Sequence, residues 1–317
     1  GALTQSAGSV YNMNGGNMNT GSIDNSGTIT QSLGNSVVNG ALSIGSTGLY
    51  TQSFGKNEVT GALSIAAGGA YDLSKGQLTA DSFDIDGSMT QNGAVTVANA
   101  LNINTGASYD VTGGTLNAGS LDNTGTLNTA GTINVTGDMT VGTATLASGS
   151  VTTSGTVANV DVGGTLTVNA GVSYTNQGSS NSTSSNLSAA NIVNSGVMVQ
   201  SGGADTSTGT LTMNAGSTYA LSGGYENYYS SYHSKLSTTA INNAGTISQT
   251  GGRASAGTLT INDGGLYDQS EGNNSATFLV IDSGGTYQLS GPDYDGYPDS
   301  TYSKLTSSNQ DISGSMI

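Results

Sequence analysis

The sequence predicts an all-β fold, a single right-handed parallel β-helix, from a recurring tyrosine phrase, short alternating strands and regularly placed Asn-Gly corners. The phrase reads Tyr109-Asp110-Val111-Thr112-Gly113-Gly114-Thr115-Leu116. It returns from Tyr11, Tyr50, Tyr71, Tyr219 and Tyr267, with related versions at Tyr174 and Tyr287. Turns without tyrosine lie between several copies, and the period of about 18–21 residues falls in the range of solenoid repeats. Within each period Leu, Ile, Val or Met alternates with Thr, Ser or Asn over three short stretches, the pattern of half-buried strands.

Separators such as Ile23-Asp24-Asn25-Ser26-Gly27, Ile241-Asn242-Asn243-Ala244-Gly245 and Ile281-Asp282-Ser283-Gly284 divide these stretches. Asn, Asp and Gly tolerate positive φ, and Asx side chains bond their own backbone, so the separators are corners. Strands this short cannot hold one hairpin register along the whole chain. Coiling pairs each strand in parallel with its equivalent one turn later and stacks like on like. The expectation is about fifteen coils at ~4.8 Å each, one continuous solenoid over 1–317. The register blurs between Ala144 and Gly163. A left-handed form needs a hexapeptide period, which is absent, hence the right-handed expectation.

Composition narrows the function classes. Charged residues make up only 8% of the chain, and the net charge is −15. The five basic residues, Lys56, Lys75, Lys235, Arg253 and Lys304, are scattered along the sequence. So few cannot neutralise a run of phosphates or hold the chain on anionic lipid, so neither nucleic acid nor a membrane surface is an expected partner. With no Cys there are no disulfides, thiolate metal sites or c-type haem attachment. The longest apolar run, Phe278-Leu279-Val280-Ile281, is strand-sized, so membrane insertion of this segment is not expected.

Phrases such as Leu121-Asp122-Asn123-Thr124-Gly125-Thr126-Leu127 and Gly209-Thr210-Leu211-Thr212-Met213-Asn214-Ala215-Gly216 resemble the β-helical passengers of autotransporters and filamentous-haemagglutinin-like large exoproteins. The resemblance covers nearly the whole chain and is periodic and compositional. It implies a right-handed β-helix, bacterial-type secretion to the cell surface, and adhesive or matrix roles. It carries over no functional residue.

Alternation puts the coil-opening tyrosines on the core side, at a corner with the hydroxyl near water. The other tyrosines sit in two polar insertions near 225–235 and 293–304, each after a Leu-Ser-Gly phrase. Both close on Tyr, Ser, Lys and Leu, through Ser234-Lys235-Leu236 and Ser303-Lys304-Leu305. A third insertion near 178–186 carries Ser and Asn instead. All three are expected on one side of the solenoid, with Tyr225, Tyr228, Tyr229, Tyr232, Tyr294, Tyr297 and Tyr302 as a contact surface for a glycan or protein. Decoration that merely tolerates insertion is the competing reading. Asp293, Asp295 and Asp299 offer hard oxygen ligands to Ca²⁺, though a solvated acidic loop explains them as well. Thr-x-Thr pairs such as Thr210-Leu211-Thr212 point outward, in ranks too broken for an ice-binding face.

Catalysis is not expected. Polysaccharide-active β-helices cluster carboxylates with Arg, Lys or His, whereas His233 and Arg253 lie in different coils, and Asp84 and Asp86 share a face without a basic partner. The expected function is an extracellular structural or adhesive rod. A self-assembling filament or matrix subunit and a polysaccharide-active enzyme stand as alternatives. Partners would be host or cell-surface glycans or proteins, or further copies joined laterally or end to end, since the first and last residues match the middle of coils elsewhere.

Overall fold

The computed structural model describes residues 1–142, 150–153, 159–177, 185–227, 230–290 and 303–317. All regular structure among them is β, wound as a parallel β-solenoid of about 13 turns. The estimate of fifteen was too high because the insertions lengthen their coils: after Tyr219 the equivalent position comes only at Ile247, and after Tyr287 only at Met316. The described residues fall into two compact units, the first holding 1–142 with 150 and 151, the second the described residues from 152 to 317. The stretch of blurred register lies largely outside the described residues.

Each coil has three faces. Face A carries the tyrosine strands. Its inward rank in the first unit is Tyr11, Ile29, Tyr50, Tyr71, Met89, Tyr109 and Leu127, in parallel register. In the second unit the rank runs Tyr174, Met198, Tyr219, Ile247, Tyr267, Tyr287 and Met316. Face B follows after a corner, with Leu78, Val95, Leu116 and Ile133 inward in the first unit and Val160, Leu187 and Leu236 in the second. Face C closes the coil with Leu63, Phe83, Leu101 and Leu121, and with Leu166, Ile192, Leu211, Ile241 and Leu259. Between these buried residues Thr210, Thr212, Thr258 and Thr260 face outward, as alternation requires. Each fully buried Leu or Ile contributes roughly 1.5–3 kcal/mol, and ranks of like residues repeat that gain coil after coil.

The corners between faces C and A use a buried Asn where the turn is short. Asn25, Asn194 and Asn243 each accept a bond from the backbone N–H two residues on and donate to a carbonyl of the next coil, on Leu49, Thr218 and Leu266. One amide therefore closes its own turn and ties it to its neighbour. Where the turn is longer, Ile44, Ile65, Ile103, Ile261 and Ile281 take the same inward place, and Ile85 takes it at one short turn.

The corner between faces A and B is built differently, and it positions everything that follows. A glycine turns it at positive φ, as at Gly34 (φ 92) and Gly55 (φ 83). A Cβ on Gly55 would lie 1.8 Å from the Gly34 carbonyl oxygen, so no other residue fits between the stacked corners. Beneath the corner sits a buried glutamine from the last position of the face A strand. Gln31 donates from Nε2 to the Gly34 carbonyl and to that of Lys56 in the next coil, both at 3.0 Å. Gln52, Gln91, Gln200, Gln249 and Gln269 repeat the pair of bonds.

With both amide hydrogens so used, each glutamine Oε1 is left to accept. It takes the hydroxyl proton of the tyrosine in the following coil: Tyr50 on Gln31 (2.9 Å), Tyr71 on Gln52 (2.6 Å), Tyr109 on Gln91 (2.5 Å), Tyr219 on Gln200 (2.7 Å) and Tyr267 on Gln249 (2.8 Å), with Tyr287 on Gln269 alike. The tyrosine hydroxyls are thus buried, not near water as expected. Rings in adjacent coils stack, Tyr50 on Tyr71 at 4.8 Å and Tyr267 on Tyr287 at 5.0 Å between centroids.

A candidate contact corner

All three insertions leave the solenoid at the A–B corner of the second unit, and a serine seals each neck. Ser185 Oγ donates to the Gln177 carbonyl at 3.0 Å, Ser303 Oγ to that of Ser290 at 2.6 Å, and Ser234 Oγ to that of Ser222. The coils that carry insertions have Asn176, Leu221 and Leu289 at the position of the corner glutamine, as coils without insertions have Met13, Leu73, Val111 and Thr129 there. The glutamine of the preceding coil reaches past the insertion instead: Gln200 donates to the Lys235 carbonyl at 3.0 Å, and Gln269 to that of Lys304 at 3.2 Å.

This assigns a task to each residue of the closing motif. In Ser234-Lys235-Leu236 the serine clamps the neck, the lysine re-enters the sheet under the glutamine, and Leu236 drops into the core with no exposed surface. Ser185-Asn186-Leu187 does the same with Asn in the middle. Sequence reading saw the motif but not the serine clamp, whose signal was a Ser two places before the core Leu after each insertion.

Of the proposed contact tyrosines, Tyr225 and Tyr232 stand opposite one another in a two-stranded antiparallel pair, Gly224–Asn227 with Ser230–His233. Tyr228, Tyr229, Tyr294, Tyr297 and Tyr302 lie outside the described residues, as do Asp293, Asp295 and Asp299 of the proposed calcium loop. Among the described residues no group of three or more His, Asp or Glu is placed to hold a metal ion. Asp84 and Asp86 do share a face, where both carboxylates accept from Asn104 Nδ2, at 2.7 and 2.9 Å.

The basic residues are not scattered in space. In the second unit Lys235, Arg253 and Lys304 occupy one parallel column at the start of face B, with Asn273 between the last two. In the first unit Lys56 holds the equivalent place between Asn35 and Gln77. Lys75 sits on the corner itself, its Nζ 5.5 Å from the ring centre of Phe54 at the same corner one coil back. All five are exposed.

Under this corner one carboxyl is buried among the described residues of the second unit. Asp205 is 1% exposed. Asn176 Nδ2 donates to its Oδ1 at 2.6 Å, and its Oδ2 lies 2.7 Å from the Tyr219 hydroxyl. Burial pushes its pKa up to about 6, held down in part by the bonds to Tyr219 and Asn176. Burial also raises the pKa of Tyr174 and Tyr219, the titratable side chains around it, and the negative charge of Asp205 adds to both shifts.

No protein-family model and no curated protein matches this chain. Among solved structures it is similar to a TibC-catalysed, hyper-glycosylated TibA fragment, with 17% identity and a TM-score of 0.32 over the whole of both chains.

Proposed function

We propose that this chain is a non-enzymatic structural and adhesive element of the cell exterior, a spacer that presents contact loops along one corner. The observation that supports this reading is the placing of the insertions. All three leave one corner, all three are closed by the same serine device, and the stacked scaffold beneath continues unchanged. A scaffold that holds variable, tyrosine-bearing loops on fixed necks is suited to recognition. The family resemblance of its repeat phrases agrees with export and adhesion.

The test is replacement of Tyr225, Tyr228, Tyr229, Tyr232, Tyr294, Tyr297 and Tyr302 by Ser. Adhesion of the purified protein to cells or immobilised glycans is expected to fall at least tenfold, with the melting temperature unmoved. Unchanged adhesion would make the loops decoration and remove the basis for this reading.

A further inference from the structure

Of the seven fully buried tyrosines on face A, Tyr219 alone is bonded to a carboxyl. Tyr50, Tyr71, Tyr109, Tyr267 and Tyr287 hold their hydroxyl protons against glutamine Oε1, an amide oxygen that accepts a hydrogen bond but is not a base. The Tyr174 hydroxyl has no hydrogen-bond partner among the described residues. Asp205 Oδ2 stands 2.7 Å from the Tyr219 oxygen, while Asn176 Nδ2 fixes Oδ1 at 2.6 Å. No other carboxyl is buried among the described residues. In the rank, the neighbours of Tyr219 in the adjacent coils are Met198 and Ile247, so no second tyrosine stands against it. An ionised Asp205 is a charge held out of water, which is costly. A reaction that removes this charge and keeps the hydrogen bond is favoured here.

We propose that Tyr219 and Asp205 form a one-electron oxidation site, where oxidising equivalents that reach the second unit come to rest. While the carboxyl is ionised, the Tyr219 proton lies on the bond to Oδ2. One electron leaves the phenol for a one-electron oxidant in solution, which is reduced, and the proton passes along the 2.7 Å bond to Asp205. The products are a neutral phenoxyl radical and a neutral carboxylic acid that donates back to it. The site thereby loses its negative charge, and the same desolvation that raises the pKa of Asp205 favours the product. At a glutamine-bonded tyrosine the proton has no base to go to, and oxidation leaves a buried cation radical. Tyr174 and Tyr267 lie two coils to either side in the same rank, about 10 Å away. An equivalent on either ring therefore runs downhill to Tyr219. The Tyr219 ring has no exposed surface, which keeps its radical from coupling with tyrosines of another molecule. This activity goes beyond the adhesive reading, uses none of the contact tyrosines, and fails or stands independently of it.

The experiment is oxidation of the full chain by tris(bipyridyl)ruthenium(III), generated by light from the ruthenium(II) complex and persulfate, with tyrosyl radical followed by electron paramagnetic resonance. At pH 8 the wild type is expected to give a long-lived radical. Asp205→Asn and Tyr219→Phe are each expected to lower its yield at least fivefold. Tyr109→Phe, which removes a glutamine-bonded tyrosine, is expected to leave it unchanged. At pH 4 the protonated Asp205 cannot take the proton, so the wild type is expected to fall to the level of Asp205→Asn. The titratable side chains facing the carboxyl are Tyr174 and Tyr219, which burial keeps protonated over this range. Its partners across face B are Leu187 and Leu236, and Lys235, beside Leu236, faces water. Circular dichroism before oxidation checks the fold of each variant, and Asp205→Asn keeps the test sound if Tyr219→Phe loosens the core. A radical of wild-type yield in Asp205→Asn, or in folded Tyr219→Phe, overturns the proposal. So does its absence from the wild type, an equal yield at pH 4 and pH 8, or an equal loss in Tyr109→Phe.

Discussion

Two tyrosine sites, one in each unit, differ by a single residue type. In the first unit Tyr71 donates to Gln52 Oε1 and accepts from Asn57 Nδ2 at 3.0 Å. In the second unit Tyr219 has Gln200 in the first place and Asp205 in the second. Asn57 and Asp205 hold the same inward position on face B, seven residues after the opening residues Tyr50 and Met198. Asn274 fills that position against Tyr287. A hydroxyl has one proton, and both amide hydrogens of Gln200 are spent on carbonyls. The one Tyr219 proton therefore goes to Asp205 Oδ2 while that carboxyl is ionised, and to Gln200 Oε1 when Asp205 instead donates to Tyr219. A carboxyl does that only when protonated. Below its pKa of about 6 Asp205 does the work of Asn57 as a neutral acid, the state burial favours, and above it the carboxylate takes the Tyr219 proton in place of Gln200.

The largest expected effect tests whether a carboxyl survives in this core only through such partners. Leu211 is fully buried among apolar neighbours. Leu211→Asp places an acid there with no donor to receive it, and should cost about 4 kcal/mol or more. Thr210→Asp, one residue away and facing water, should change the denaturation midpoint by the equivalent of about 0.5 kcal/mol or less. Equal effects at the two positions would overturn the inside–outside assignment on face C.

Next in size is the charge of Asp205 itself. Its folded pKa of about 6 lies above the ordinary carboxylate value, so between the two the folded state binds the proton and the unfolded state does not. This contribution to stability is full below about pH 4 and is lost as pH rises through 6, amounting to roughly 3 kcal/mol. Asp205→Asn keeps both bonds without ionising. It should match the wild type near pH 4 and exceed it by about 2–3 kcal/mol at pH 8, read from urea midpoints. The converse change, Asn57→Asp, should bring the same pH dependence to the first unit. If the midpoints of wild type and Asp205→Asn run parallel from pH 4 to 8, Asp205 is not the neutral donor described here.

How much of this was legible in the sequence follows from what repeats. The faces and the inward ranks were, because period-two alternation reports burial directly: Leu211 between Thr210 and Thr212 needs no partner to be placed. The Tyr–Gln bonds were not, since the two residues are 18 or 19 apart in the chain and only the coil register makes them neighbours. A signal was nonetheless present. Every buried Gln at the end of a face A strand is followed by Tyr at the opening of the next coil, as Gln31 is by Tyr50 and Gln200 by Tyr219. The basic corner was hidden for the same reason, because Lys235 and Arg253 are remote in sequence and adjacent across the sheet. The phrase Leu3-Thr4-Gln5-Ser6 shows the hazard of local reading. It copies the words of face A, yet Gln5 pairs with Asn25 on face C.

The smallest effect concerns tyrosines with and without partners. Tyr71→Phe leaves Gln52 Oε1 and Asn57 Nδ2 facing a ring edge inside the core, and an unmade buried bond costs about 1–3 kcal/mol. Tyr174 is as deeply buried, but its hydroxyl has no hydrogen-bond partner among the described residues. Its burial cost is already present in the wild type, so Tyr174→Phe removes an unsatisfied group and leaves no acceptor stranded. The same substitution should therefore have opposite signs at equivalent positions: a loss at Tyr71, and at Tyr174 no loss or a gain of up to about 1 kcal/mol. Urea midpoints at pH 5, where Asp205 is mostly protonated, keep the neighbouring charge from contributing. A loss at Tyr174 as large as that at Tyr71 would mean that the tyrosine hydroxyls matter through something other than the glutamine of the preceding coil.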